Sequence, residues 1–219
     1  MSFKKNKYTI IKKAVSKDLA KFLYNYLLMK RQVAKTLFDY KYISPFAQYF
    51  GVWTDKQVPN TYSHYSDIAM ETLLLKCQSA MEKVTKTKLI PMYSYTRIYK
   101  KGDELKRHKD RPSCEISTTL NLGGDPWPIY LSPTENVGFP DGQNITTESN
   151  AKGKKINLKP GDMLVYSGCV LEHWREKFEG QDCVQVFLHY NDSTSPIAKQ
   201  FDGRPHLGLP DWFKRIYNG

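Results

Sequence analysis

The pattern that most constrains this fold is a strand-like run that delivers two metal-type side chains and needs a distant third to join them. Tyr93-Ser-Tyr-Thr-Arg97-Ile-Tyr99 alternates like a β-strand and leads through Lys101-Gly102-Asp103 into His108-Lys109-Asp110. Residues at i and i+2 of an extended segment point to the same side, so His108 and Asp110 can grip one ion. His173 follows Asp110 by 63 residues. It comes after the Pro160-Gly161-Asp162 turn and Met163-Leu-Val-Tyr166, which again reads as a strand. Two imidazoles and a carboxylate on one face form the ligand set of non-haem iron(II), with the other positions open for a co-substrate and dioxygen. A His-x-Asp pair alone arises by chance in many loops. The flanking strands separate this one from two surface histidines and a solvated aspartate.

The period of the sequence changes near Lys88. Upstream, Ser16 is a candidate N-cap with Asp18 in the first turn. Leu19, Phe22, Leu23, Tyr26 and Leu27 recur at helical spacing and predict a helix over 17–37. Met70, Leu73, Leu74, Cys77, Met81 and Val84 predict a second over 64–85. The segment from Tyr40 to Tyr65 reads as a connection or as a lid beside the site. Downstream, strands are predicted at 91–99, 115–122, 128–132, 155–158, 162–167 and 183–190. Gly123-Gly124-Asp125, Pro140-Asp-Gly142 and Pro160-Gly161 mark turns. Residues 133–154 read as a long hairpin loop, and Asp202 to Lys214 as a tail packed over one end. Helices followed by strands predict α+β: a double-stranded β-helix, or jelly roll, with the N-terminal helices packed on one sheet. The 219 residues suit a single domain over 1–219, with a helical support region (1–89), a jelly-roll core (90–191) and a C-terminal tail (192–219).

Composition narrows the class. Apolar residues make up 40%, with 15 Tyr and 10 Phe, which excludes a disordered chain. No run has the length of a membrane span, and the opening Met1-Ser-Phe-Lys-Lys-Asn-Lys lacks the apolar core of a secretion signal, so a cytoplasmic protein is expected. Cys77, Cys114, Cys169 and Cys183 show no Cys-x-x-Cys spacing, which argues against structural zinc and for reduced thiols. Asn144-Ile-Thr146 matches a glycosylation acceptor but, without a secretory route, reads as an ordinary loop. The net charge is +11, and residues 1–50 hold eleven Lys/Arg against two Asp/Glu. Such asymmetry fits an anionic partner such as nucleic acid. Most of those lysines fall on outer helix faces, where a solvated surface is the usual explanation, and no nucleic-acid motif accompanies them.

Tyr95-x-Arg97-x-Tyr99-x-x-Gly102-x-x-Leu105-x-x-His108-x-Asp110, the Pro-Gly-Asp turn and the distal His173 together resemble the 2-oxoglutarate/Fe(II)-dependent oxygenases, on the prolyl 4-hydroxylase-like side. The resemblance covers about Ile90 to Asn191 and runs more loosely back through the helices. It implies His108, Asp110 and His173 as catalytic metal ligands, with Fe(2+), 2-oxoglutarate as co-substrate, O2 and an ascorbate requirement as cofactor expectations. It also implies hydroxylation of a C–H bond coupled to oxidative decarboxylation of 2-oxoglutarate.

A buried co-substrate carboxylate needs a cationic or hydroxyl anchor. Relatives carry Arg or Lys nine or ten residues after the distal His. Here those positions are Asp182 and Cys183. The nearest inward candidate is Arg175, two residues past His173 and on the same side of an extended strand. Its alternative is a surface ion pair with Glu172 or Glu179. Lys177 shares the parity but lies further along. Arg97 and Tyr99 point together, Tyr99 corresponds to a pocket tyrosine of relatives, and Thr119 stands where a pocket hydroxyl is often found; their alternative is sheet packing. His189 reads as a hydrogen-bonded core histidine or as a pocket residue of the last strand, and neither it nor His64 is assigned as a ligand. Trp127 and Trp174 are expected to support the roll.

By family analogy the leading substrate is a prolyl residue in a peptide or protein, with an acidic peptide suiting the basic N-terminal region. The alternatives are a free amino acid or other small molecule, a nucleic acid, and a non-catalytic metal-binding module that has lost its co-substrate.

Overall fold

In a computed structural model, residues 3–44, 46–132, 145–146 and 151–215 are described. The elements begin with α1 (Phe3–Asn6), β1 (Tyr8–Ile11), α2 (Lys17–Asp39), β2 (Tyr62–Tyr65), α3 (Ile68–Thr85) and β3 (Leu89–Lys100). They continue with β4 (Leu105–Lys109), β5 (Ile116–Gly124), β6 (Ile129–Leu131) and β7 (Ile145–Thr146). The last are β8 (Lys154–Ile156), β9 (Met163–Tyr166), β10 (His173–Arg175) and β11 (Asp182–Asp192). Among the described residues the strands form two antiparallel sheets, ordered β1-β9-β5-β11-β3-β2 and β7-β4-β10-β6-β8. The fold is thus mixed helix and antiparallel sheet. Most of the expected hairpin loop, residues 133–144 and 147–150, lies outside the described residues.

The helices form for the expected reasons, with two corrections. Ser16 caps α2 by accepting the Leu19 N–H, but the buried stripe is Ala20, Leu23, Leu27 and Ala34. Phe22 was expected on that stripe and is instead 68% exposed, because it sits one position off the face that meets the sheet. The second helix starts at Ile68 rather than 64, because Asp67 caps it and Tyr62–Tyr65 pairs with β3 as an edge strand. Tertiary pairing there overrides a helical period. Both helices pack on the outer face of the six-stranded sheet, where Leu74, Met81, Leu120, Val186 and Leu188 share one core. Truncating a residue such as Leu27 to Ala would cost about 2–5 kcal/mol.

β1 had no sequence signal. It pairs with β9, and Asp162 of the Pro-Gly-Asp turn fastens it by accepting from Lys12 Nζ at 2.8 Å and the Lys13 N–H at 3.0 Å. Gly161 (φ +88°) makes that turn possible, since a Cβ there would lie 2.6 Å from the Val15 carbonyl. All four cysteines are free thiols, as expected. Among the described residues no helix is long and apolar enough to cross a membrane.

Candidate metal centre

Sheet register brings the two histidines together. His173 of β10 lies directly opposite His108 of β4, and their ring centroids are 4.2 Å apart. Directly opposed strand residues carry Cβ atoms only ~5 Å apart, so the pairing supplies the proximity. Asp110 follows β4 and is drawn in by its N–H bond to the Gly168 carbonyl at 2.9 Å. Gly168 is needed there, since a Cβ would stand 2.4 Å from Asp110 Oδ2. All three side chains are buried.

Hydrogen bonds fix which atoms face inward. His108 Nδ1 lies 2.8 Å from the Lys106 carbonyl and His173 Nδ1 2.9 Å from the Leu171 carbonyl. A carbonyl only accepts, so both Nδ1 atoms carry protons and both Nε2 atoms are left to bind. They stand 3.6 and 3.4 Å from Asp110 Oδ1. Facial ligands at ~2.1 Å from one ion would be separated by about 3 Å, so the set closes on a metal with shifts of a few tenths of an ångström. Ser117 Oγ meets the other carboxylate oxygen, Oδ2, at 2.9 Å.

The electrostatics are those of a coupled buried group. Burial and then the neighbouring His173 push His108 down to about 3. For His173 burial acts downward, but the Asp110 carboxylate outweighs it and leaves the pKa raised. Burial would raise Asp110, yet His173 and His108 hold it well below the usual carboxylate range. Burial lowers His189 to about 4.

The triad lines a cavity of about 830 Å³ whose walls also include Tyr93, Arg97 and His189. That is ample for a small ligand. Residues that the sequence did not single out complete it: Asp55 and Gln57 from the stretch read as a connection or a lid beside the site, and Asp211 and Lys214 from the tail expected over one end. No local periodicity marks either segment.

Arg175 is not on the surface. It is 1% exposed, and Glu172, one of its two considered partners, pairs with Arg107. A bulge between His173 and Arg175 shifts the register, and Arg175 reaches inward to the Trp127 carbonyl and, at 3.3 Å, to Thr119 Oγ1. Its Nε has no hydrogen-bond partner, and no carboxylate of the described residues forms an ion pair with it. Tyr99 is fully buried, its hydroxyl near Arg97 and Arg175 but without a hydrogen bond of good geometry. Arg175, Tyr99 and Thr119 thus form a polar group outside the cavity lining. Arg97 lines the cavity but gives Nε and Nη2 to Asp55, and Nη2 also to Gln57. Lys177 is exposed. Trp174 faces the opposite side of its sheet, stacked on Tyr130 at 5.5 Å under Arg107, whereas Trp127 packs against Tyr99.

No protein-family profile and no curated protein sequence matches the chain. Solved structures do. HygX from Streptomyces hygroscopicus with nickel and 2-oxoglutarate bound is 13% identical, with a TM-score of 0.59 over 88% of this chain and 85% of that one. HygX has also been solved with hygromycin B bound. A Pseudomonas putida prolyl-4-hydroxylase is 12% identical, with a TM-score of 0.57 over 87% and 95%. AviO1 from Streptomyces viridochromogenes Tue57 is 15% identical, with a TM-score of 0.63 over 90% and 95%. The chain has the fold of the prolyl-4-hydroxylase-like, 2-oxoglutarate/Fe(II)-dependent oxygenases.

Proposed function

We propose that this protein is an iron(II)- and 2-oxoglutarate-dependent oxygenase, its two sheets forming the jelly roll of one domain over 1–219. The observation that carries the reading is the convergence of His108 Nε2, Asp110 Oδ1 and His173 Nε2 in the lining of a cavity, each held by a hydrogen bond through its other polar atom. Iron(II) with 2-oxoglutarate and dioxygen supplies, when bound, the oxidising power to hydroxylate a C–H bond while 2-oxoglutarate becomes succinate.

The chain's own residues orient and insulate that chemistry. The Lys106 and Leu171 carbonyls hold the imidazoles in the tautomer that presents Nε2. Ser117 holds Asp110 Oδ2, so that Oδ1 faces the ion. Arg175 is a buried guanidinium with no ion pair among the described residues, and such a charge calls for an anion. In this reading it receives the far carboxylate of 2-oxoglutarate, with Thr119 and Tyr99 as hydroxyl partners. Leu105, Ile129, Tyr166 and Phe187 line the cavity and limit water.

The likeness to a prolyl-4-hydroxylase supports a prolyl residue of a peptide or protein as substrate. A small molecule is the second reading, supported by the likeness to HygX in its complex with hygromycin B. Nucleic acid receives less support, because α2, with Lys17, Lys21 and Lys35, packs on the face of the six-stranded sheet opposite the site. Succinate release from 2-oxoglutarate, with iron and ascorbate, is the test. Stimulation by a prolyl peptide with a gain of one oxygen mass supports the first reading, stimulation by an aminocyclitol or sugar the second. No succinate under any condition leaves the non-catalytic module.

A further inference from the structure

Three rings on the six-stranded sheet stack along the cavity wall, and the innermost has an unused nitrogen. Tyr65 and Tyr93 have centroids 4.9 Å apart, Tyr93 and His189 4.4 Å, with interplanar angles near 30° (31° and 32°). All three line the cavity, and His189 is only 6% exposed.

The hydrogen bonding fixes the tautomer of His189. Its Nδ1 lies 3.0 Å from Ser117 Oγ, which in turn lies 2.9 Å from Asp110 Oδ2 and 2.9 Å from the Cys114 carbonyl. A hydroxyl has one proton, and a carboxylate and a carbonyl can only accept. The Ser117 proton is therefore committed, and its lone pair takes the Nδ1–H of His189. A buried imidazole with no carboxylate in contact is neutral, so Nε2 carries a lone pair. Nε2 has no hydrogen-bond partner among the described residues, and the ring faces the cavity.

We propose that His189 Nε2 accepts a hydrogen bond from the substrate, so that a substrate of this site carries an O–H or N–H donor near the carbon to be oxidised. A prolyl ring has no donor of its own, so a prolyl peptide meets Nε2 through the N–H of a flanking residue. The proposal rests on the oxygenase reading for which carbon is oxidised, but the acceptor itself does not depend on it.

Ligand-observed NMR with two size-matched probes, cyclohexanol and cyclohexanone, tests this on protein with and without nickel(II) and 2-oxoglutarate. The alcohol can donate and the ketone cannot. Wild type is expected to bind the alcohol about three- to tenfold more tightly, the range of one neutral hydrogen bond. His189→Asn keeps an N–H for Ser117 but has nothing at the Nε2 position, so the preference should fall to about one. His189→Gln places an amide oxygen near Nε2 and should keep it. Equal binding by wild type overturns the proposal. So does the reverse pattern, with Asn keeping and Gln losing the preference, which would mean that His189 only steadies Ser117 and Asp110. If the preference holds in a protein that binds neither nickel nor 2-oxoglutarate, the oxygenase reading falls and the acceptor stands. If both bind and there is no preference, the acceptor falls alone.

Discussion

Two buried arginines, Arg97, which lines the cavity, and Arg175, which does not, stand in opposite states. Arg97 lies on the wall, and its charge is met by Asp55, which also accepts the Tyr95 hydroxyl and has its own pKa lowered by Arg97 against the effect of burial. Arg175 is not among the cavity-lining residues; among the described residues it gives hydrogen bonds to a carbonyl and a hydroxyl, lies over the Trp127 ring, and keeps Nε unused. A guanidinium with a carboxylate partner is compensated by the fold itself; in the function proposed above, the one without it is compensated by a ligand anion. Burial alone does not separate the two. The charge on the acceptors does: each arginine meets two, but only those of Arg97 include a carboxylate.

The comparison breaks most easily at Arg97. Arg97→Ala leaves the partly buried Asp55 without its cation and should cost about 1–3 kcal/mol in unfolding free energy, measured by denaturant titration. Its effect on 2-oxoglutarate affinity should be the smaller of the two arginines. Arg175→Ala should do the converse, raising the apparent Michaelis or dissociation constant for 2-oxoglutarate by about one to two orders of magnitude, from roughly 1.5–3 kcal/mol for a charged hydrogen bond. Metal affinity should stay close to wild type, as seen by titration calorimetry, because Arg175 is no ligand. If Arg97→Ala gives the larger rise in the 2-oxoglutarate constant, the roles are exchanged. Thr119→Val removes the hydroxyl that accepts from Arg175 and donates to Gln185 at 3.0 Å. It should weaken 2-oxoglutarate by only about fivefold, near 1 kcal/mol, and an effect as large as that of Arg175→Ala would move the anchor to Thr119.

The same contrast explains what was legible in the sequence. His108, Asp110 and His173 were readable because strand parity and a register-forming turn place them, and the structure brings them together. Arg175 was readable as an inward residue by its parity with His173, although the bulge that turns it was not. The partner of Arg97 was not readable. Asp55 belongs to an irregular stretch 42 residues upstream of Arg97, and nothing local ties it to β3. Asp211 and Lys214 reach the cavity from more than 100 residues beyond Asp110 for the same reason. β1 and β2 were missed because short edge strands draw their stability from neighbours rather than from their own pattern. His189 was the divided case. Its bond to Ser117 fits a core histidine, and its place in the cavity wall fits a pocket one.

Anaerobic titration with iron(II) and then 2-oxoglutarate, followed by visible absorption, tests the central claim most directly. Chelation of 2-oxoglutarate to iron(II) at a two-histidine, one-carboxylate site produces a metal-to-ligand charge-transfer band. The account predicts one iron per chain, a band that saturates with 2-oxoglutarate in wild type, its loss in His173→Ala, and its retention in Arg175→Ala at about 10- to 100-fold higher 2-oxoglutarate. A wild-type protein that binds iron without developing the band, or a His173→Ala protein that develops it undiminished, would contradict the account.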